Sequence, residues 1–223
     1  AGVAQAQQPR QPGGGMRQQT PLYVTALTNA DLQKDLKITD DQKKSLKEVM
    51  DKATDIAKQR AEMFTGGGQP DRTKMQELQT ASTKLAEDAK AATDKAFTDD
   101  QKKRIKQIDV QRMGFQAFTN EDVVKAMKFT DDQKTKLKTL GEEFTKARGD
   151  LQKEYGLGGG PGGGGTRPDA DKMAEYQKKN TALTAETMDK AKKELTDDQK
   201  KTWTDLTGAA FDLTKLQPAG GRG

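Results

Sequence analysis

Four near-identical heptapeptides, ITDDQKK at Ile38, FTDDQKK at Phe97, FTDDQKT at Phe129 and LTDDQKK at Leu195, oblige this chain to begin the same local structure four times. They recur in register. A shift of 91 residues lays LTNADLQKDLKITDDQKKSLK (Leu27 to Lys47) on FTNEDVVKAMKFTDDQKTKLK (Phe118 to Lys138). Beyond the glycine stretches a shift of 98 pairs DRTKM (Asp71 to Met75) with DADKM (Asp169 to Met173), and Phe97 with Leu195. The difference between the shifts is taken up by GGGQP (Gly66 to Pro70) against GLGGGPGGGGTRP (Gly156 to Pro168). The chain is therefore a tandem duplication, with units over 22–115 and 116–216. Outside them, 1–21 and 217–223 read as disordered segments.

The repeated letters have a local meaning. A helix starts with backbone N–H groups that lack internal acceptors, and T-x-x-Q supplies a capping box: the Thr hydroxyl accepts from the N3 amide while the N3 Gln reaches back to the N-cap N–H. Thr39/Gln42, Thr98/Gln101, Thr130/Gln133 and Thr196/Gln199 all have this spacing. The intervening Asp pairs put negative charge in the first turn, where the helix dipole favours it. T-x-x-D at Thr28/Asp31 and Thr119/Asp122 extends the expected caps to six. An apolar residue precedes each cap, but N4 is Lys in all four TDDQ copies, so a regular hydrophobic staple is not written. Ile38, Phe97, Phe129 and Leu195 are instead expected to anchor helix junctions.

Between the caps the apolar residues step by three and four. Leu46, Met50, Ala53, Ala57 and Phe64, then Met75, Leu78, Ser82, Leu85, Ala89, Ala92 and Ala96, form one pair of stripes; Leu137, Leu140, Phe144, Ala147, Leu151 and Tyr155 face a looser Met173, Tyr176, Leu183 and Ala191 in the second. The expected fold is all-α: elongated antiparallel helical hairpins in two homologous units, with short flanking helices and Gly-rich hairpin loops. With only 31% hydrophobic and 5% aromatic residues, any core is thin.

Several chemistries drop out. The chain has no His and no Cys, which removes the usual near-neutral base, the commonest transition-metal ligand and thiolate nucleophiles. Asp40 and Asp41 are adjacent on a helix and diverge by about 100°, and no calcium loop follows them. The glycine runs follow no strand and lack the order of a phosphate-binding loop. A non-enzyme without cofactor or metal is expected. The pI near 9.1 hints at nucleic acid, but 39 Lys and Arg are interleaved with 34 Asp and Glu, the pattern of a solvated helix face, so no nucleic-acid partner is expected. No apolar run is long enough for a transmembrane segment. Ala4-Gln5-Ala6 has the small-x-small form of a signal-peptidase site, so 1–6 reads as a signal-peptide remnant and the chain as exported.

An apolar residue, Thr, two variable positions and Gln at helix starts on both sides of a hairpin resembles the LTxxQ signature of the Spy/CpxP family of exported bacterial proteins. The residues that carry the likeness are Ile38 to Gln42, Phe97 to Gln101, Phe129 to Gln133 and Leu195 to Gln199. The resemblance implies a periplasmic, ATP-independent chaperone or envelope-stress protein that binds unfolded or partly folded proteins on a helical surface. The duplication suggests a monomeric pseudo-dimer or a homo-oligomer. Met63, Phe64 and Tyr155 near the hairpin tips are candidate client contacts, with closure of the hairpin core as their alternative role. The other reading is a self-assembling structural or scaffolding protein of the cell envelope.

Overall fold

The computed structural model describes residues 20–65, 71–157 and 169–216. The glycine runs, the signal-peptide remnant and nearly all of both terminal segments expected to be disordered lie outside the described residues. Thr20 and Pro21, assigned above to the first of those segments, are held: the Thr20 carbonyl accepts from Arg112 Nη1 at 2.7 Å, and the Pro21 carbonyl accepts from the Val24 and Thr25 amides.

All regular structure among the described residues is helical. In chain order it comprises α1 (Leu22–Thr28), α2 (Ala30–Asp35), α3 (Asp40–Thr65), α4 (Arg72–Ala96), α5 (Asp99–Met113), a 3-10 turn (Gly114–Thr119), α6 (Glu121–Met127), α7 (Asp131–Glu154), α8 (Ala170–Lys193), α9 (Asp197–Thr207) and a second 3-10 turn (Leu213–Leu216). The four motif-led helices α3, α5, α7 and α9 each begin on the residue after the motif Thr. No described helix is long and apolar enough to cross a membrane.

α3 packs on α4, and α7 on α8, each pair meeting along the predicted stripes. α4 turns Leu78, Leu85, Ala89 and Thr93 inward, with partly buried Ser82 filling the turn between the first two. The α3 stripe drifts from its expected line: Ala57 is exposed and the larger, more apolar Ile56 takes the inward place, while on the next turn Arg60 donates to Ser82 Oγ at 2.9 Å.

Two cores result. The first gathers Leu22, Ala26, Leu27, Leu32, Leu36, Leu46, Leu85, Ala89, Phe97 and Ile108; the second gathers Phe115, Phe118, Val123, Met127, Phe129, Leu137, Ala191, Leu195 and Trp203. The first is mainly aliphatic. In the second, Phe118 stacks on Trp203 with centroids 4.5 Å apart and planes 9° apart, and Phe115 and Phe129 tilt against Phe118 at 5.7 and 6.2 Å.

The cores do not divide at the 115/116 boundary expected from the sequence repeat. Val110 of α5 joins the second core, as does Phe115, which the 91-residue shift sets opposite Val24 of the first unit, and Phe211, Leu213 and Leu216 come back to pack on the first core. The reason is the shared helix α5, which sends Ile108 one way and Val110 the other, and which also packs on α9. Gly114 ends α5 at φ 55°, a conformation open to glycine without a Cβ penalty.

Candidate functional site

The motif residues sit where helix ends converge. At each of Thr39, Thr98, Thr130 and Thr196 the hydroxyl accepts from the amide of the motif Gln, at 3.2, 3.3, 3.2 and 3.3 Å. Each Gln Oε1 accepts in return from its own Thr N–H, at 3.0, 2.9, 3.1 and 3.0 Å. Replacing Thr39 with Ala removes one such acceptor, and a loss of about 1 kcal/mol is expected in denaturant unfolding.

The other two expected caps fall elsewhere. Asn29 Oδ1 accepts from the Leu32 amide at 2.8 Å, and Asn120 Oδ1 from the Asp122 and Val123 amides at 3.1 and 3.2 Å. Thr28 ends α1, and Thr119 turns its hydroxyl back to the Gln116 carbonyl. The Asn one residue later is among the strongest N-cap residues and outcompetes Thr. Upstream of two of the motifs a Lys at positive φ turns the chain toward the next cap: Lys37 at 52° and Lys128 at 49°.

The four glutamines have a second role that sequence reasoning missed. Gln42 Nε2 donates to Gln101 Oε1 at 2.7 Å, and Gln101 Nε2 donates back to Gln42 Oε1 at 3.0 Å. Gln133 and Gln199 make the same exchange at 2.7 and 2.9 Å. The remaining amide protons go to helix C-terminal carbonyls: Gln42 to Ala96 at 2.8 Å, Gln101 to Leu36 at 3.0 Å, Gln133 to Glu194 at 2.7 Å and Gln199 to Met127 at 3.1 Å. Each amide thus has both protons donated and its oxygen doubly engaged. One clamp joins the starts of α3 and α5 to the ends of α2 and α4; the other joins α7 and α9 to α6 and α8. The available signal was Gln, never Glu, at N3 in all four copies, since only an amide can both donate and accept across such a pair.

Of the three candidate client contacts, Tyr155 is buried at 9% exposure. Its ring tilts against Tyr176 at 5.9 Å and lies under Lys179 Nζ at 5.1 Å, so it closes its own helix pair. Tyr155, and then Glu154 at 2.9 Å, raises the Lys179 pKa above the usual lysine range. Met63 is half-buried, and the Phe64 side chain lies outside the described residues.

Away from the clamps the surface is a lattice of exposed ion pairs, mostly at i,i+3 and i,i+4. Lys52 beside Glu48, Lys90 beside Asp94, Lys134 beside Asp131 and Lys190 beside Glu186 hold those carboxyls below their ordinary values by hydrogen bonding first. Their contribution to stability is present above the unfolded carboxylate range and is lost as pH falls through the lowered values; solvent screening keeps it small. An open depression lined by Thr73, Gln76, Glu77, Thr80 and Ala81 belongs to a single helix and gathers no catalytic set. Among the described residues no group of three or more carboxylates is placed to hold a metal ion. Comparisons with family models, with curated proteins and with solved structures give no match to this chain.

Proposed function

We propose that the chain is an exported, ATP-independent chaperone or envelope-stress protein, non-enzymatic, built as two homologous antiparallel hairpin units that present unfolded chains with a helical surface. One observation carries the reading. Along both helix pairs the apolar stripe continues past the cores without being fully covered: Leu140, Phe144, Leu151, Met173, Tyr176 and Leu183 are half-buried, and Met75 is 43% exposed. Half-covered aliphatic, Met and aromatic side chains amid dense charge make weak, adaptable contacts to chains of diverse sequence. The motif likeness supports the periplasm as the location, and a monomeric pseudo-dimer or a homo-oligomer as the assembly.

The test is suppression of light scattering by a thermally unfolding model protein, without nucleotide. The expected result is suppression at a few-fold molar excess that weakens as salt screens the positively charged surface. No suppression at several-fold excess sinks the reading. A self-assembling scaffolding role in the cell envelope is the second reading, favoured by the incompletely covered stripe of α7 and α8 (Leu140, Phe144, Leu151, Met173, Tyr176 and Leu183), which a second copy would cover. A concentration-independent monomer in sedimentation removes it.

A further inference from the structure

Residues 208–216 leave α9 and cross to the first core as a strap. Gly208 makes the exit at φ 59°, and a Cβ there would run into the Gln107 side chain. The strap is gripped chiefly by its backbone. Arg104 Nη1 donates to the Ala209 carbonyl at 2.6 Å, and Gln111 Nε2 to the Thr207 and Ala209 carbonyls at 2.5 and 2.8 Å. Gln111 Oε1 accepts from the Phe211 amide at 2.9 Å, and Asn29 Nδ2 donates to the Lys215 carbonyl at 2.7 Å. Lys215 also pairs with Asp31 at 3.7 Å, with both side chains about half exposed.

The strap's own anchors are Phe211, Leu213 and Leu216, which pack on the first core yet remain only half-buried. Arg104 does not depend on the strap for its place: its guanidinium is forked onto Asp35 at 2.8 and 3.1 Å, with Arg104 17% exposed. Nor does the duplication explain these residues. The second-unit positions matching Arg104, Gln107 and Gln111 are Thr202, Asp205 and Ala209. The first unit therefore carries a pre-set row of backbone-binding groups, on which a weakly anchored segment lies.

Hydrogen bonds to backbone give affinity without reading sequence, and apolar contacts at fixed spacing then set the class of segment accepted. From this geometry we infer that Asn29, Arg104 and Gln111 form a peptide-binding groove, that the strap is its displaceable resident, and that the groove takes a segment of an unfolded protein able to follow the strap's path, irregular at 208–212 and a single 3-10 turn at Leu213–Leu216, with apolar residues spaced as Phe211, Leu213 and Leu216. This deepens the client-binding reading by placing one point of entry, and the strap is then a built-in competitor that an incoming segment must displace.

The test uses a fluorescent peptide of residues 208–216, titrated by anisotropy against the full chain and against the chain ended at Thr207. Saturable binding to the shortened chain is expected, with binding to the full chain about tenfold weaker because the resident strap leaves the groove free only a small fraction of the time. A full-length variant with Phe211, Leu213 and Leu216 changed to Ser keeps the groove residues and the strap's backbone bonds but loses its apolar anchors, and should bind more tightly than the full chain and less tightly than the shortened one. A peptide with other aliphatic residues at those three places should bind within a few-fold. The inference is overturned if the shortened chain keeps its helical circular dichroism yet does not bind, if full and shortened chains bind equally, or if the aliphatic swap abolishes binding. It is overturned equally if both variants lose their helical signal, since the strap is then part of the core. Light-scattering suppression measured on the same samples separates the two ideas: its failure removes the chaperone reading and leaves the peptide result standing.

Discussion

Changing Gln101 to Glu should destabilise the chain by about 3 kcal/mol at neutral pH, far more than loss of a surface amide. Glu still closes a capping box, so the Thr98 N–H keeps an acceptor. What fails is the exchange across the clamp. A carboxylate has no proton for Gln42 Oε1 or for the Leu36 carbonyl, and it sets a negative charge against both oxygens at a position only 8% exposed. Those oxygens raise the pKa of the introduced carboxyl in the folded state above its unfolded value. The folded state then takes up its proton first, so the deficit is full at neutral pH and shrinks as pH falls through that raised value. Gln101→Ala, which cannot titrate, should show a deficit of about 2 kcal/mol with no such recovery. Urea unfolding of the three chains at neutral and mildly acidic pH decides it. Equal stability of Gln101→Glu and the parent at neutral pH would mean that the amide exchange contributes nothing.

The clamp also shows where the sequence was legible and where it was not. The Thr-to-Gln spacing announced four capping boxes because capping is a contact between residues three apart. The amide exchange joins residues 59 and 66 positions apart, and no local pattern records such a partner. Internal alignment does hold long-range information where the two matched stretches of sequence fill the same position differently. Buried Ala89 and Thr93 of the first unit become Thr187 and Ala191 in the second, the same two small residues exchanged along one helix face. Val24 and Met50 become Phe115 and Gly141, and a Cβ on Gly141 would approach Phe115 Cε1 to 3.0 Å, so the larger ring is seated by removal of a side chain on α7. The strap was invisible because Arg104, Gln107 and Gln111 have no like residue at their matching positions Thr202, Asp205 and Ala209, and resemble any charged or amide residue on a solvated helix. Tyr155 was legible as a tip residue, but its burial depends on Tyr176 and Lys179 from α8.

Removing the Phe118 ring by Phe118→Ala should cost about 3–5 kcal/mol, because the residue is 3% exposed and its ring meets Trp203, Phe115 and Phe129 at once. The first-unit counterpart, Leu27, lies in an aliphatic core, so the aromatic cluster is a feature of the second unit. Trp203 is the sole Trp and reports this core directly, while far-ultraviolet circular dichroism reports helix throughout the chain. The two signals should melt together in the parent and in the variant, with the midpoint lowered by about 10 °C. Coincidence is expected because α5 cannot be shared between cores without coupling them. Ile108, fully buried in the first, and Val110, buried in the second, are two residues apart on one helix, and the strap returns Phe211, Leu213 and Leu216 from the end of the second unit to the first core. If fluorescence melts early while a large part of the helical signal persists, α5 frays at Gly114 and the units fold separately. A single shifted transition means that a ring lost from the second core is felt at Ile108 in the first.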